Sequence, residues 1–332
     1  MSQLRIGMIG CGDNAEDHVR SMREAGLEVV AVCGTVGSAR VDDFAKRHEI
    51  PLVFNGADEL LGARKEWDAL AIIVPGNTAL EILEQALPLG VPIFVEKPIA
   101  FRSERIKPLL GRDLPVIVGY NRRYYRPVKE AREEVQRMPP GISHIEFPQS
   151  TTFHNAADNQ DDPEYLLPYF SSVTVLGLDL VRFVLGDLKV EHTQHLTTDR
   201  GRLLGIAATL TTASGGVVQF LANFRGSANF SVTMDWPDHR FEIKPFEKAT
   251  VYDGLEMVPP TVERPMRSFT PKATRETWMD DVDYRFKPGY VAEATAFKAL
   301  IQGEDPGIAA RVEDAYAVSK LAEDLAGRVF PR

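Results

Sequence analysis

Short apolar runs and stretches of helical period alternate along the chain from residue 4 to about residue 120. In the stretches between the runs, apolar residues recur three and four positions apart, as on the buried face of a helix. This alternation predicts parallel strands joined by crossover helices, in a doubly wound α/β sheet. The predicted strands are Leu4 to Ile9, Glu28 to Cys33, Leu52 to Phe54, Ala69 to Val74, Ile93 to Val95 and Val116 to Tyr120.

Beyond residue 121 the pattern changes to strands of alternating character, which is typical of an antiparallel sheet with one covered face. The predicted strands are Ser143 to Phe153, Leu203 to Thr212, Val217 to Phe224, Ser231 to Asp235 and His239 to Ile243. One apolar helix, Val173 to Leu185, interrupts them, and two helices close the chain. We therefore predict an α/β domain at 1–121, followed by an α+β domain at 122–332 whose sheet is open-faced and mostly antiparallel.

Composition narrows the class of protein. With 332 residues the chain is long enough for two domains, and its formal net charge of -9 argues against nucleic-acid binding. No apolar stretch is long enough to span a bilayer, and no signal-peptide pattern precedes the first strand, so we expect a cytoplasmic protein without membrane contact. The two cysteines exclude a disulfide scaffold or a cysteine-based metal site, and no metal is expected.

A glycine-rich turn follows the first predicted strand. Gly10, Gly12 and Ala15 form a G-x-G-x-x-A pattern in which the first glycine permits a tight turn and the second admits a pyrophosphate. Asp13 and Asn14 lie between them, at the start of the next helix, where phosphates bind. The pattern predicts a dinucleotide site; the alternative is a purely structural turn.

The end of the second strand bears on which dinucleotide is bound. An acidic residue there would bind the ribose 2′-hydroxyl of NAD, but the segment from Val32 to Arg40 contains none. Thr35, Ser38 and Arg40 are able to hold a 2′-phosphate instead, with Arg40 supplying charge-assisted hydrogen bonds. The segment favours NADP over NAD, unless Arg40 is simply a solvated helix residue.

The most informative single residue is Lys97, which follows the apolar run Val91 to Val95 in the sequence Glu96-Lys97-Pro98. Open α/β sheets bind ligands at the carboxyl ends of their strands, and partial burial there lowers the pKa of a lysine toward the range useful for acid/base chemistry. The alternative is a surface lysine at a strand end.

Four motifs together resemble the Gfo/Idh/MocA oxidoreductase family, which includes glucose-fructose oxidoreductase and inositol dehydrogenase. They are the Gly10/Gly12 turn, Val74-Pro75-Gly76-Asn77, Val95-Glu96-Lys97-Pro98 and Val118-Gly119-Tyr120-Asn121-Arg122-Arg123. The resemblance covers nearly the whole chain. It implies a Rossmann domain followed by an open-faced sheet that holds the substrate and joins subunits, and hence a homodimer or homotetramer.

The resemblance also implies roles for individual residues. Lys97 is implied to bind both the cofactor and the substrate and to be the acid/base partner of the reacting hydroxyl or carbonyl group. The other residues implied to bind cofactor are Pro75, Asn77 and Glu96, and those implied to face the substrate are Asn121, Arg123, Ser172, Asp179 and Tyr290. Two of the latter have structural alternatives, since Arg123 is able to pair with a carboxylate and Asp179 to bridge within the helix layer.

The chain departs from the family at the usual partners of the lysine. The family pattern is an Asp, a His four residues later and an Asp three after that. Only the last is present, as Asp179, because Ser172 and Leu176 stand at the other two positions. Substitute proton-transfer groups are His154 and Tyr169, although His154 also fits a surface loop and Tyr169 a packing role. Lys97 acting alone is a third possibility.

These features predict an NAD(P)-dependent oxidoreductase that moves hydride between nicotinamide and a small sugar, sugar derivative or polyol, with Lys97 as acid/base. Two alternatives stay open. One is a lyase or hydrolase that oxidises its substrate transiently with no net redox change. The other is a non-catalytic dinucleotide-binding sensor, for which the loss of the Asp and His would be expected.

Overall fold

The computed structural model of the protein describes residues 3–148, 163–197, 203–223 and 226–327. The chain divides into two compact units that are not continuous in sequence. The first comprises Met1–Tyr124, Phe170–Asp179 and Asp280–Glu323; the second comprises Tyr125–Tyr169, Leu180–Met279 and Asp324–Arg332. The unit that contains the glycine turn also includes later segments of the chain. The domain boundary between residues 121 and 122 therefore stays a prediction.

The first unit contains a six-stranded sheet among its described residues. Its strands are all parallel and lie in the order β3-β2-β1-β4-β5-β6, with the carboxyl ends of β1 and β4 side by side. The strand bounds are β1 Leu4–Ile9, β2 Leu27–Cys33, β3 Leu52–Phe54, β4 Ala69–Ile72, β5 Ile93–Glu96 and β6 Val116–Gly119. This order reverses at β1, which confirms the predicted doubly wound Rossmann sheet.

Helices connect these strands because each connecting segment has one apolar face. In the first of them Ala15, Val19 and Met22 are buried, at the spacing of one helix face. The helices of this unit up to residue 124 are α1 Asp13–Glu24, α2 Arg40–Arg47, α3 Ala57–Gly62, α4 Gly76–Ala86 and α5 Ser103–Ile106, and a 3-10 turn at Asn121–Tyr124 follows β6.

The second unit holds a mixed, mostly antiparallel sheet, as predicted. Among the described residues it has eight strands in the order β14-β13-β12-β11-β7-β10-β9-β8, and only the β7–β10 pair is parallel. The bounds are β7 Ile142–Pro148, β8 Leu188–Thr197, β9 Leu203–Thr212, β10 Val217–Asn223, β11 Ser231–Trp236, β12 His239–Ile243, β13 Lys248–Val258 and β14 Ser268–Trp278.

One face of this sheet is covered and the other is open. Helix α6, Arg126–Arg137, packs on β12, β13 and β14 through Val128, Ala131 and Val135. Along β10 buried and exposed residues alternate, and exposed apolar side chains include Val217 and Leu221. The sheet is therefore open-faced and carries apolar groups on its exposed side.

The remaining α-helices of the described residues come later in the chain. They are α7 Pro163–Leu185, α8 Asp281–Arg285, α9 Tyr290–Ile301 and α10 Val312–Ala326. Helix α7 begins ten residues before its predicted start at Val173. Pro168 lies inside it, and because proline disfavours a helix interior, the sequence did not indicate this earlier start. Within the described ranges, no helix is long and apolar enough to cross a membrane.

Candidate active site

A cavity of about 690 Å³ lies at the carboxyl ends of β1, β2 and β4 in the first unit. Glycine-turn residues line one part of it and residues that follow β2 line another. The predicted cofactor residues on its wall are Gly10, Gly12, Thr35, Ser38, Arg40 and Pro75. Because the sheet order reverses at these strands, the cavity occupies the place where doubly wound sheets bind dinucleotides.

The glycine turn fits a bound pyrophosphate. Gly10 has φ +119°, and a Cβ atom there would lie 2.1 Å from the carbonyl oxygen of Ile73, so no other residue fits. A Cβ atom at Gly12 would meet nothing within 4 Å, which leaves its backbone open to a ligand. Helix α1 begins directly afterwards with no side chain bonded at its N-terminus, so its first amides can bind phosphate.

Thr35, Ser38 and Arg40 lie together at the cavity wall that follows β2. Thr35 and Arg40 are exposed and Ser38 is half-buried, so all three are reachable by a ligand. A carboxylate that sequence reasoning missed, Asp58 of α3, lines the same cavity. Asp58 lies in the helix that follows β3, whereas the acidic residue was expected at the end of β2.

Glu96, the last residue of β5, is the centre of a buried polar cluster. Its side chain is within hydrogen-bond distance of His18 Nε2 at 2.8 Å, Asn14 Nδ2 at 3.0 Å and the Tyr290 hydroxyl at 3.4 Å. It also accepts the backbone N–H of Lys97 at 2.9 Å. Burial opposes ionisation, but the hydrogen bond and charge of His18 and the charge of Lys97 hold the pKa of Glu96 below its ordinary value.

Lys97 is half-buried at the carboxyl end of β5, next to this cluster. Burial lowers its pKa below the ordinary value for lysine; the charge of Glu96 opposes that shift, and the cations Arg122 and Lys287 add to it. The side chain is therefore able to exchange a proton nearer neutral pH than an exposed lysine is, as general acid/base catalysis requires.

Tyr290 and Asn14 meet in the same cluster. The Tyr290 hydroxyl donates to Asn14 Oδ1 at 2.9 Å, and Lys287 Nζ donates to the same oxygen at 2.6 Å. The Tyr290 ring stacks on His18 with their centroids 4.5 Å apart. Tyr290, predicted to face substrate, thus holds the predicted cofactor residue Asn14 in place.

Arg123 and Asp179 form a buried ion pair. Arg123 donates to both carboxylate oxygens of Asp179, at distances from 2.6 to 3.1 Å, and also contacts Asp314. Asp179 has no exposed surface, and only 4% of Arg123 is exposed. This ion pair is the structural alternative that the sequence left open for Arg123. Arg123 and Asp179 were both predicted to bind substrate, and here they bond each other.

The other predicted site residues fall in several places. Asn121 is buried and donates to the carbonyl oxygen of Pro288 at 2.8 Å, whereas Asp13 is exposed at the start of α1. Asn77 lies in α4, and Tyr169 and Ser172 lie in α7, but their side chains are outside the description, as is all of His154. In the described part of the chain no group of three His, Cys, Asp or Glu residues is arranged to hold a metal.

Sequence reasoning missed three members of the cluster: His18, Lys287 and Glu293. Of these, His18 carried a usable signal, because it lies four residues after Asn14 and so on the same face of α1. Nearby, α8 begins with Asp281, and its buried Asp283 accepts the N–H of Gly289 at 2.7 Å. Only the fold brings Lys287 and Glu293 to β5.

Comparison with known proteins agrees with a dinucleotide-binding sheet in the first unit. Residues 4–111 match the model of an oxidoreductase family with an NAD-binding Rossmann fold, named GFO_IDH_MocA. Over these residues the chain is similar to the Gfo/Idh/MocA oxidoreductase family. The match contains the glycine turn and the Glu96-Lys97-Pro98 motif on which the resemblance was based.

Sequence relatives and solved structures are similar to this protein over a larger part of the chain. Inositol 2-dehydrogenase of Acidiphilium cryptum is 30% identical over 198 residues, which are 55% of each chain. The chain spans about half the length of the first curated relatives that it matches. Among solved structures, an oxidoreductase of Thermotoga maritima has TM-score 0.78 and 18% identity, covering 99% of this chain and 97% of that one. A levoglucosan dehydrogenase in complex with NADH and levoglucosan has TM-score 0.74 and 15% identity, covering 98% and 96%.

Proposed function

We propose that the protein is an NAD(P)-dependent oxidoreductase that interconverts a hydroxyl and a carbonyl group on a sugar, a sugar derivative or a polyol. The observation that carries this proposal is the placement of Lys97, with a lowered pKa, beside Glu96 at the carboxyl end of β5. The same unit supplies the glycine turn and its cavity. A dinucleotide site and an acid/base lysine are the two parts that such a reaction requires.

The chain's own residues divide the work between binding and proton transfer. When bound, the nicotinamide cofactor supplies the hydride acceptor or donor. The backbone at Gly10 and Gly12 and the N-terminus of α1 hold its phosphates. In the oxidative direction the Lys97 amine accepts the proton of the substrate hydroxyl at Nζ. In the reductive direction the ammonium group donates a proton to the carbonyl oxygen, which becomes the new hydroxyl. Glu96 fixes the backbone of Lys97 and keeps a negative charge beside it.

NADP is the proposed preferred cofactor. Arg40 is a cation with a long side chain at the cavity wall. Thr35 and Ser38, on the same wall, offer hydroxyl donors. An arginine bonds phosphate with two parallel N–H donors, whereas the 2′-hydroxyl of NAD calls for a carboxylate acceptor. Asp58, on the same wall, is the residue that would favour NAD instead.

The proposed substrate class rests on the relatives. An inositol 2-dehydrogenase and a levoglucosan dehydrogenase are named for polyhydroxylated rings, and Lys97 offers the proton transfer that oxidation of one ring hydroxyl needs. Because Arg123 and Asp179 bond each other, we assign the family's substrate contacts here first to Lys97 and to the α7 segment that bears Tyr169 and Ser172. His154 is a further proposed contact.

A direct test mixes the purified protein with NADP or NAD and a panel of sugars, sugar phosphates and inositols. The absorbance of reduced nicotinamide is followed, and the products are analysed by mass spectrometry. Net reduction on at least one substrate is expected. Product formation without net reduction would identify a lyase or hydrolase instead, and cofactor binding with no product on any substrate would identify the sensor suggested by Leu176 at the family's His position.

We also propose a homodimer or homotetramer that forms through the open face of the second sheet. Val217 and Leu221 of β10 are 38% and 45% exposed, and Ile142 of the neighbouring β7 is 51% exposed. Large apolar side chains exposed on one face of a sheet favour such a contact surface.

A further inference from the structure

Asn55 is a residue of the cavity wall to which the proposed function gives no role. It follows β3 directly, is exposed, and lines the cofactor cavity as Arg40 does. Strands β2 and β3 are parallel neighbours, with Cys33 opposite Phe54. The residues that follow the two strands therefore lie side by side, where a doubly wound sheet receives the adenosine ribose of a dinucleotide.

The turn between β2 and α2 is bonded to Asn55. Within this turn the Ser38 N–H donates to the carbonyl oxygen of Thr35 at 2.9 Å, and Gly37 has φ +76°, a value that type II turns have at their third residue. The Gly37 N–H donates to Asn55 Oδ1 at 2.9 Å. Asn55 thus holds in place the turn that bears the two hydroxyls proposed to bind a 2′-phosphate.

The position of Asn55 is fixed by its own connection as well. Its backbone N–H donates to Glu59 Oε2 of α3 at 2.9 Å. The next residue, Gly56, has φ +102°, and a Cβ atom there would lie 2.7 Å from Cγ2 of Val36 in the turn. The two connections therefore pack closely against each other, and a loop that is already ordered binds its ligand at a lower entropic cost.

The hydrogen bond from Gly37 decides what the Asn55 amide offers to a ligand. Because an N–H donor needs an oxygen acceptor, Oδ1 is bonded to the turn and Nδ2 is the remaining group. Nδ2 makes no hydrogen bond within the described residues, so it is available as a donor. A phosphate accepts such a donor, and this donor supports Arg40 against the exposed carboxylate of Asp58 on the same wall.

We propose that Asn55 is a specificity-determining residue for the cofactor: its Nδ2 group donates a hydrogen bond to the 2′-phosphate of NADP, and its Oδ1 atom holds the turn of Thr35 and Ser38 in place. The inference rests on the proposed preference for NADP. It assigns recognition of the 2′ group to two strand-to-helix connections, after β2 and after β3, of which the sequence indicated only the first.

The test uses adenosine 2′,5′-bisphosphate and adenosine 5′-monophosphate, which differ only in the 2′-phosphate and need no turnover. Their affinities are measured by isothermal titration calorimetry, and the wild-type protein is expected to bind the bisphosphate more tightly. Asn55→Asp keeps the shape of the side chain and the acceptor for Gly37 but replaces the donor with a carboxylate oxygen. It is expected to weaken the bisphosphate by about tenfold or more and to leave the monophosphate within about twofold. The matched control, Asn229→Asp, adds the same charge at an exposed position of the second unit and is expected to change neither affinity.

Asn55→Ala removes the donor without adding a charge, and it covers the case in which Asn55→Asp does not fold. It is expected to weaken the bisphosphate selectively, by about fivefold or more. An unchanged ratio of the two affinities in either Asn55 variant would overturn the assignment, since an effect of aspartate alone is only an effect of charge. Equal wild-type affinities for the two probes would overturn it together with the proposed preference for NADP. If both affinities behave as expected but no sugar or polyol is turned over, the proposed reaction alone is wrong.

Discussion

The pKa of Lys97 depends on its position at the carboxyl end of the buried strand β5. Burial disfavours its charged form, Glu96 supports that form, and the balance leaves its pKa below the ordinary value. The Glu96 carboxylate is itself held by His18 and Asn14, so the environment of the lysine is set by groups from β5 and α1 together. A lowered pKa is what the proposed acid/base role of Lys97 requires.

Gly10→Ala is expected to destabilise the protein. The position has φ +119°, and the new Cβ atom would lie 2.1 Å from the Ile73 carbonyl oxygen, so either β1 or β4 must shift. We expect the free energy of unfolding to fall by about 2 kcal/mol or more in a urea titration. The control is Gly62→Ala at the end of α3, where a Cβ atom meets nothing within 4 Å and the change is expected to be within about 1 kcal/mol. Equal effects of the two substitutions would contradict this reading of the turn.

Asp179→Ala tests whether the buried ion pair is structural. It leaves the Arg123 guanidinium in a buried site with Asp314 as its remaining carboxylate partner, and we expect the free energy of unfolding to fall by about 3 kcal/mol. Asp187→Ala removes the partner of Arg182 at an exposed position and should change stability little. If Asp179→Ala unfolds like the wild type but loses substrate affinity, Asp179 is a substrate contact as the family resemblance implies.

At the residue scale the sequence identified some groups and not others. Gly10 and Lys97 stand next to strands that are legible in the sequence, so their positions were predictable. Glu293 was not, because it sits in a helix nearly 200 residues after β5 and no local pattern shows which elements pack together. The partners of Arg123 likewise come from α7 and from the start of α10.

At the scale of elements, we propose that the connection from β2 to α2 governs the choice between NADP and NAD. Arg40→Ala is expected to reduce the preference for NADP over NAD, measured as the ratio of the two kcat/KM values, by roughly tenfold or more, since a charge-assisted hydrogen bond contributes about 1.5–3 kcal/mol. Arg47→Ala, at the other end of α2 and paired with Glu16, is the matched control. A ratio unchanged in Arg40→Ala would assign Arg40 to the solvated surface.

Strands with clear alternation or buried runs were predictable, and exposed ones were not. Among the described residues, the parallel strands and the central strands of the second sheet lie close to their predicted positions. The predicted strand ends at 149–153 and at residue 224 lie outside the described residues. Sequence reasoning missed β8, β13 and β14; along β14 nearly every residue is at least partly exposed. Such a strand is held by its backbone pairing with β13, which leaves little trace in the order of polar and apolar residues.

For the whole molecule, the open sheet face is the feature with the clearest consequence. Leu221→Asp places a charge among exposed apolar groups of β10, and we expect it to lower the molar mass measured by light scattering from that of a dimer or tetramer to that of a monomer. Val262→Asp changes an apolar residue that is 94% exposed in the connection between β13 and β14, and is expected to leave the mass unchanged. A wild-type protein that is already monomeric would contradict the proposed assembly.

The two-unit organisation was only partly accessible from the sequence. The boundary at 121/122 stays a prediction, and a boundary at one point of the chain does not show that Asp280–Glu323 belongs to the first unit. The return of this segment brings Lys287, Tyr290 and Glu293 to the polar cluster around Glu96. Contacts between segments so far apart in the chain depend on packing rather than on local propensity.

The most direct test of the account compares hydride transfer in the wild-type protein and in Lys97→Met. Cofactor affinity is measured by the fluorescence of bound reduced nicotinamide, and turnover by its absorbance with the best substrate of the sugar and polyol panel. We expect unchanged cofactor affinity and a loss of kcat of about 100-fold or more, because the variant keeps the cavity and loses the group that moves the proton. Turnover of Lys97→Met at the wild-type rate would contradict it.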